Sequence, residues 1–393
     1  MKTFLLSLTA VLALSVSPLH AKPLKVYILS GQSNMQGHAR VSTFDHIGMD
    51  PKTAPLLKKM RGDDDQPVVC KNVWISSISA GGNDEKHGQL TAGFGAADDK
   101  IGPEFTFGIT MQELVQEPIL IIKTAWGGKS LNTDFRPPSA GPYEFNESQL
   151  EQMKKQGKDI EQAKKERAEA SGHYYRLMME HVKKVLADIK RVYPDYNSEE
   201  GYEIAGFVWF QGWNDMVDGS TYPDRYQPGG YDLYSTLMAQ FIRDVRKELN
   251  APGMPFVIGV AGVGGPTKDY DSPRYQGVHQ YFRDAMAAPA SLPEFKGNVT
   301  AVLTENFWDH QLDEIKNRGG KIKEKSKELE KDSSLSKEER KKILDEFKAN
   351  LYSEDDKKIL TGSSNQGFHY NGSGKIFAQI GEAFANAVYG MMK

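Results

Sequence analysis

VYILSGQSNMQGHA, residues 26–39, decides how this chain is read. An apolar run stops at Gly31 and opens at once into small polar residues, with Ser33 between Gln32 and Asn34 and glycines at 31 and 37. A strand that merely turned into water would not need so dense a polar knot. Other segments repeat the apolar part of the pattern: Lys25–Ser30 is matched by Pro118–Thr124, Ile204–Phe210, Pro255–Gly262 and Thr300–Glu305. Each is short, rich in Val and Ile and apolar on both faces, as parallel strands covered by helices tend to be.

Helical stripes separate these runs. Met178, Val182, Val185 and Ile189 share one face, as do Leu233, Leu237, Phe241 and Val245, and finally Ile376, Ile380, Ala383, Phe384 and Ala387. Strands alternating with amphipathic helices predict an α/β fold, a doubly wound and mostly parallel sheet of about five strands. Val73–Ser79 is a candidate extra edge strand. Residues 22–393 read as a single domain, with charged helical insertions near 147–170 and 312–356. Their Lys and Glu density suits helices facing water, with a partner-binding arm as the alternative.

The first 21 residues have the layout of a secretory signal. Lys2 precedes an apolar stretch of roughly 13 residues, too short to span a bilayer, and Pro18 and Ala21 mark the cut. The expected location is therefore secreted or periplasmic, with no membrane span. A formal net charge of -3 leaves no basic footprint for nucleic acid. The single cysteine, Cys70, excludes an internal disulfide framework and a Cys-rich zinc site.

In open α/β sheets ligands sit beyond the carboxyl ends of the strands, and those ends are polar and glycine-rich here. They read GQSNM, TAWGGKSL, QGWNDM and NFWDH. GGKS fails as a phosphate loop, because Lys123 holds the position of the first glycine and the Pro-rich LNTDFRPPSAGP that follows cannot be a helix. GVAGVGG, residues 259–265, fails the dinucleotide spacing, and Pro266 breaks the helix it requires. No clustered ligand set points to a metal, and no cofactor is expected. Acyl transfer remains. It needs a serine activated by a base and N–H donors where the oxyanion forms. Ser33 supplies the hydroxyl, Gly127 and Gly128 let a backbone N–H approach unshielded, and Asn214 offers an amide.

GQSNM at Ser33, the glycine pair 127–128, GWND at 212–215 and a late His together resemble the blocks of the SGNH hydrolases. The branch they resemble is the sialate O-acetylesterase-like carbohydrate esterases, from about Val26 to the last helix with the charged insertions excluded. The resemblance implies a flavodoxin-like fold and an acetylated carbohydrate as partner. It makes Ser33 the nucleophile, the Ser33 and Gly128 N–H groups and Asn214 the oxyanion hole, and His369 the base. Gln32, Gly127, Gln211 and Trp213 are expected to meet substrate; many relatives carry Glu where Trp213 stands. His38 and His310 are the rival bases, while His173, His181 and His279 sit in helical patterns. The family pattern has Asp three residues before its His, but here that residue is Gln366. Asp309, in TENFWDH, is the candidate substitute, with Glu305 and Asp215 as lesser ones; the alternatives are a Ser–His dyad without an acid and an Asp309 that merely caps the following helix. The expected activity is an exported serine esterase removing O-acetyl groups from sialic acid or acetylated polysaccharide. The alternative is an inactive, carbohydrate-binding relative, favoured only by the missing Asp and by the aromatics Trp126, Trp213 and Trp308, which are expected to be exposed.

Overall fold

The computed structural model describes residues 22–79 and 84–392. The leader read in residues 1–21 lies outside them. Among the described residues seven strands form one sheet: β1 (Leu24–Gly31), β2 (Cys70–Ser79), β3 (Glu85–Leu90), β4 (Ile119–Ala125), β5 (Tyr202–Phe210), β6 (Phe256–Val260) and β7 (Val299–Leu303). Their order is β3-β2-β4-β1-β5-β6-β7. Every neighbouring pair is parallel except β2 with β3.

The expected doubly wound α/β sheet is therefore present, with seven strands in place of about five. The 70–79 segment is not an edge. It pairs on its other side with β3, a polar strand (EKHGQL) that carries no apolar run to betray it.

Alternating side chains divide the core in two, as the pleat requires. Val26 and Ile28 point with Leu120, Ile122, Phe207 and Trp209 toward α2 (His173–Ala187), α3 (Asp232–Glu248) and α4 (Pro273–Ala287). Tyr27 and Leu29 point with Ile121, Val208 and Val257 toward α1 (Glu104–Val115) and α5 (Gly374–Met391). Both faces of β1 are thus covered, which is why its sequence is apolar throughout. After β4 the chain crosses to the far side of β1, so the loops following β1, β4 and β5 meet at the point where the winding reverses.

The charged stretches fold as helices, at Glu147–Lys155, Ile160–Ala170, His310–Asn317, Gly320–Lys331, Lys337–Leu351 and Glu354–Leu360. Capping boxes at Asn146, Ser336 and Ser353 start three of them. Among the described residues no helix is long and apolar enough to cross a membrane.

Candidate active site

Sheet register builds the site. Gly31 pairs with Ala125 of β4 and Phe210 of β5, so Gln32, Trp126 and Gln211 leave the sheet side by side. The Trp126 N–H donates to the Gly31 carbonyl at 3.2 Å, and the Gln32 N–H to the Phe210 carbonyl at 3.2 Å. Residue 31 must be glycine, since a Cβ there would lie 2.1 Å from the Phe210 oxygen. The chain then makes one helical turn, Ser33–Gln36, closed by the Gln36 N–H on the Gln32 carbonyl and the Gly37 N–H on that of Ser33. Below it the buried Lys123 ammonium donates to the Gln36 carbonyl at 2.8 Å and to the Glu104 carboxylate at 2.7 Å. The Ser33 hydroxyl has no hydrogen-bond partner among the described residues, so no bond fixes its direction.

The two glycines after β4 lie against this turn. A Cβ on Gly127 would sit 3.7 Å from the Ser33 Cβ. Gly128 has φ +74°, a left-handed conformation that favours glycine. On the other side, Asn214 stands in the short helix Trp213–Val217. Gln32 aims it: the Gln32 Nε2 donates to Asn214 Oδ1 at 3.2 Å, while its Oε1 accepts from the Gly212 N–H at 3.0 Å. With its oxygen engaged, Asn214 has its NH₂ group left to offer an incoming oxyanion.

Two of the expected substrate contacts are corrected by this arrangement. Gln32 and Gln211 are buried and committed to protein partners. Gln211 donates to the Lys129 carbonyl at 3.0 Å and to Asp215 at 2.6 Å, and it accepts from Tyr234. Asp215 is the hub of this network. Its carboxylate, fully buried, accepts from the Leu131 and Asn132 N–H groups, the Asn132 amide, Gln211 and the Tyr222 hydroxyl. Burial pushes its pKa up to about 6 against the pull of those donors. Asp215 thereby ties the glycine-pair loop to the Asn214 loop. Nothing in the GWND motif marks Asp215 as the tie.

His369 arrives on a strained turn just before α5. Tyr370 and Asn371 both have positive φ, at 49° and 58°. The turn is held by the buried Tyr370 hydroxyl, which accepts from the Gly262 N–H at 2.7 Å and lies 2.6 Å from Thr304 Oγ1. Asn34 joins this turn to the Ser33 loop, its Nδ2 donating to the Phe368 carbonyl at 3.2 Å. No hydrogen bond links Ser33 to His369 directly. Such contacts are often long without substrate. The His369 Nδ1 lies 3.1 Å from Asn365 Oδ1, and its ring stacks on His38. Of the rival bases, His38 thus lies against His369. His310 instead packs near Gly265, in the loop after β6.

Asp309 does not orient His369, contrary to expectation. It caps the helix that begins the second insertion, accepting from the Leu312 N–H at 3.0 Å. Its other oxygen meets His46 Nε2 at 2.9 Å and Lys375 Nζ at 3.1 Å. Burial alone would raise its pKa, but these three partners hold the carboxyl well below the usual carboxylate range. The helix begins at His310, so the carboxylate just ahead of it turns back to cap it.

Trp126 and Trp308, expected at the surface, are instead core residues, the former packed on Phe135 and Tyr174. Trp213 is half-buried, its ring 6.1 Å from that of Phe368, which is 43% exposed and itself neighbours His369. These two rings form an aromatic wall beside the loops. Phe368 carried no sequence signal beyond its place next to His369.

A comparison with curated protein sequences finds no significant match. Among solved structures, the chain is similar to a protein from Arabidopsis thaliana, at 18% identity over 72% of this chain and 86% of that one, with a TM-score of 0.39. It is similar also to a carbohydrate acetylesterase from Xanthomonas citri, at 13% identity over 72% and 51% of the two chains, TM-score 0.39. A third is NanS, at 13% identity over 72% and 78%, TM-score 0.35. The family model for the sialic acid-specific acetylesterase carbohydrate esterases matches residues 23–276, a span that holds the loops of Ser33, Gly127–Gly128 and Asn214. The chain belongs to that family of carbohydrate esterases and is a carboxylic ester hydrolase acting on carbohydrate acetyl groups.

Proposed function

We propose that this protein removes O-acetyl groups from carbohydrate through an acyl-enzyme on Ser33, with His369 as general base. The observation that carries the reading is the convergence of the Ser33 turn, Gly127–Gly128 and a Gln32-aimed Asn214 at one edge of the sheet. In the first step Ser33 Oγ bonds to the acetyl carbon while its proton passes to His369 Nε2. The carbonyl electron pair moves to the oxygen, which the Ser33 and Gly128 N–H groups and the Asn214 amide receive. Collapse breaks the bond to the sugar oxygen, which leaves with the proton from His369. Water then repeats the sequence on the acetyl-enzyme and releases acetate.

Trp213 and Phe368 suit the apolar face of a sugar ring held beside the scissile ester. The leader in residues 1–21 supports export, and residues 22–393 are read as one esterase domain. The decisive experiment is acetate release by the purified chain from a chromogenic acetate ester and from acetylated sugars, set beside Ser33→Ala. Wild-type turnover with loss to background in Ser33→Ala supports the reading. Retention of activity in the variant, with contamination excluded, overturns it.

A further inference from the structure

Among the described residues no carboxylate pairs with the base of this site, and Gln366, at the position where the family pattern has Asp, makes no side-chain hydrogen bond to it. The Gln366 N–H instead donates to the Asn365 side-chain oxygen at 2.7 Å. That same oxygen lies 3.1 Å from His369 Nδ1. The second end of the Asn365 amide, Nδ2, lies 3.5 Å from Nδ1 of His38, long for a hydrogen bond but oriented as donor to acceptor. His38 and His369 stack with parallel planes, their centroids 4.0 Å apart.

We infer that Asn365 is the positioning residue of the catalytic base, accepting the Nδ1–H of His369 and so leaving Nε2 bare toward Ser33, while the stacked His38 fixes the ring plane. The inference rests on the reading of Ser33 and His369 given above. Its logic is the orientation of an amide. The Asn365 oxygen already accepts a backbone N–H, so the amide cannot be turned over without setting its NH₂ against the Gln366 N–H. The oxygen can therefore only accept from His369, and a neutral imidazole that donates at Nδ1 has its lone pair at Nε2.

The backbone keeps Asn365 in place. Its N–H donates to the Asn371 carbonyl at 3.0 Å, and the Lys316 ammonium donates to the Asn365 carbonyl. Lys316 also holds Asn371 Oδ1 at 2.8 Å, and Asp313 accepts from the Asn371 amide at 3.2 Å. The charged insertion thus supplies the side chains that brace this turn. Aspartate at 365 would accept from His38 and His369 alike, so His38 would have to change tautomer.

An amide differs from a carboxylate in one respect that can be measured. It fixes a tautomer but does not neutralise the imidazolium that forms in the reaction. The groups facing His369 agree with this: His38 across the stack and Lys100 nearby offer no negative charge, and Lys316 lies behind the turn.

The test is a titration of the His369 imidazole by nitrogen-15 NMR in the intact protein, for wild type, Asn365→Asp and Asn365→Ala, beside the pH profile of acetate-ester hydrolysis. The expected wild-type spectrum is the Nδ1–H tautomer. Asn365→Asp should move the His369 titration upward by about one unit or more, and the acid limb of kcat/KM with it. Asn365→Ala should lower kcat by roughly 10-fold or more with KM nearly unchanged. An Nε2–H tautomer in the wild type, or an Asn365→Asp protein titrating as wild type does, overturns the inference. The NMR reading does not depend on turnover, so an inert wild type would defeat the esterase reading while leaving this one decided by the spectrum.

Discussion

The imidazoles of His38 and His369 lie face to face, with centroids 4.0 Å apart and an interplanar angle of 0°. Two cations could not occupy that geometry at low cost, and both rings are also partly removed from water. Burial, followed by Lys100, lowers the His369 pKa to about 4. Burial, then His369 itself, then Lys100 and Lys123, lower that of His38 to about 3. The pair is thus held neutral through the physiological range, the state a general base requires.

The pH profile follows directly. In the proposed mechanism only neutral His369 accepts the Ser33 proton, so kcat/KM should hold as pH falls through 6.5 and drop only near pH 4. Stability moves the same way. Both folded-state values lie below the ordinary value near 6.5, so the folded chain binds fewer protons than the unfolded one. The stabilisation is complete above pH 6.5 and is lost as pH falls toward 4 and 3. Steady-state kinetics and urea midpoints between pH 3.5 and 8 check both; an acid limb at 6.5 would show that the pair does not shield the base.

Asn214 and Gln32 should behave as one unit. Removing an oxyanion donor typically lowers turnover by about 10²–10³, and Asn214→Ala is expected in that range with little change in KM. Gln32→Leu leaves Asn214 in place but unaimed, and should lower kcat in the same direction by a smaller factor. Because one side chain acts through the other, the double variant should be little worse than Asn214→Ala alone. Fully additive losses would mean that Gln32 acts on something else.

Asp309 should matter for folding and not for chemistry. Asp309→Ala removes a helix cap, worth about 0.5–2 kcal/mol, and strips His46 and Lys375 of a buried acceptor. Denaturant unfolding should show a lowered midpoint, and kcat measured where the variant is folded should equal that of wild type. A large fall in kcat without destabilisation would restore Asp309 to the catalytic group.

Trp213→Ala should separate sugar binding from acyl chemistry. With the wall formed by Trp213 and Phe368 breached, KM for an acetylated sugar is expected to rise several-fold. Hydrolysis of a small chromogenic acetate should change much less, since its acyl group meets the same oxyanion donors. Equal losses on both substrates would place Trp213 in support of the Asn214 helix.

The sequence by itself determined the layers and the edge at which chemistry gathers. Apolar runs such as Val26–Ser30 need cover on both faces, and helical stripes between them supply it; parallel strands then place all their carboxyl ends on one side. Ser33, the 127–128 pair and Asn214 were legible because each follows such a strand. What only the tertiary structure decided was which polar groups face one another. Gln32 and Gln211 look like ligand contacts in a string of letters, and burial against Asn214 and Asp215 makes them framework. Asp309 and Asn365 are 56 positions apart and separated by a helical insertion, so no spacing rule could choose between them as the partner of His369. Side-chain hydrogen bonds depend on approach within about 3 Å, which the path of that insertion sets. It returns Asn365 to His369 and turns Asp309 toward His46 and Lys375.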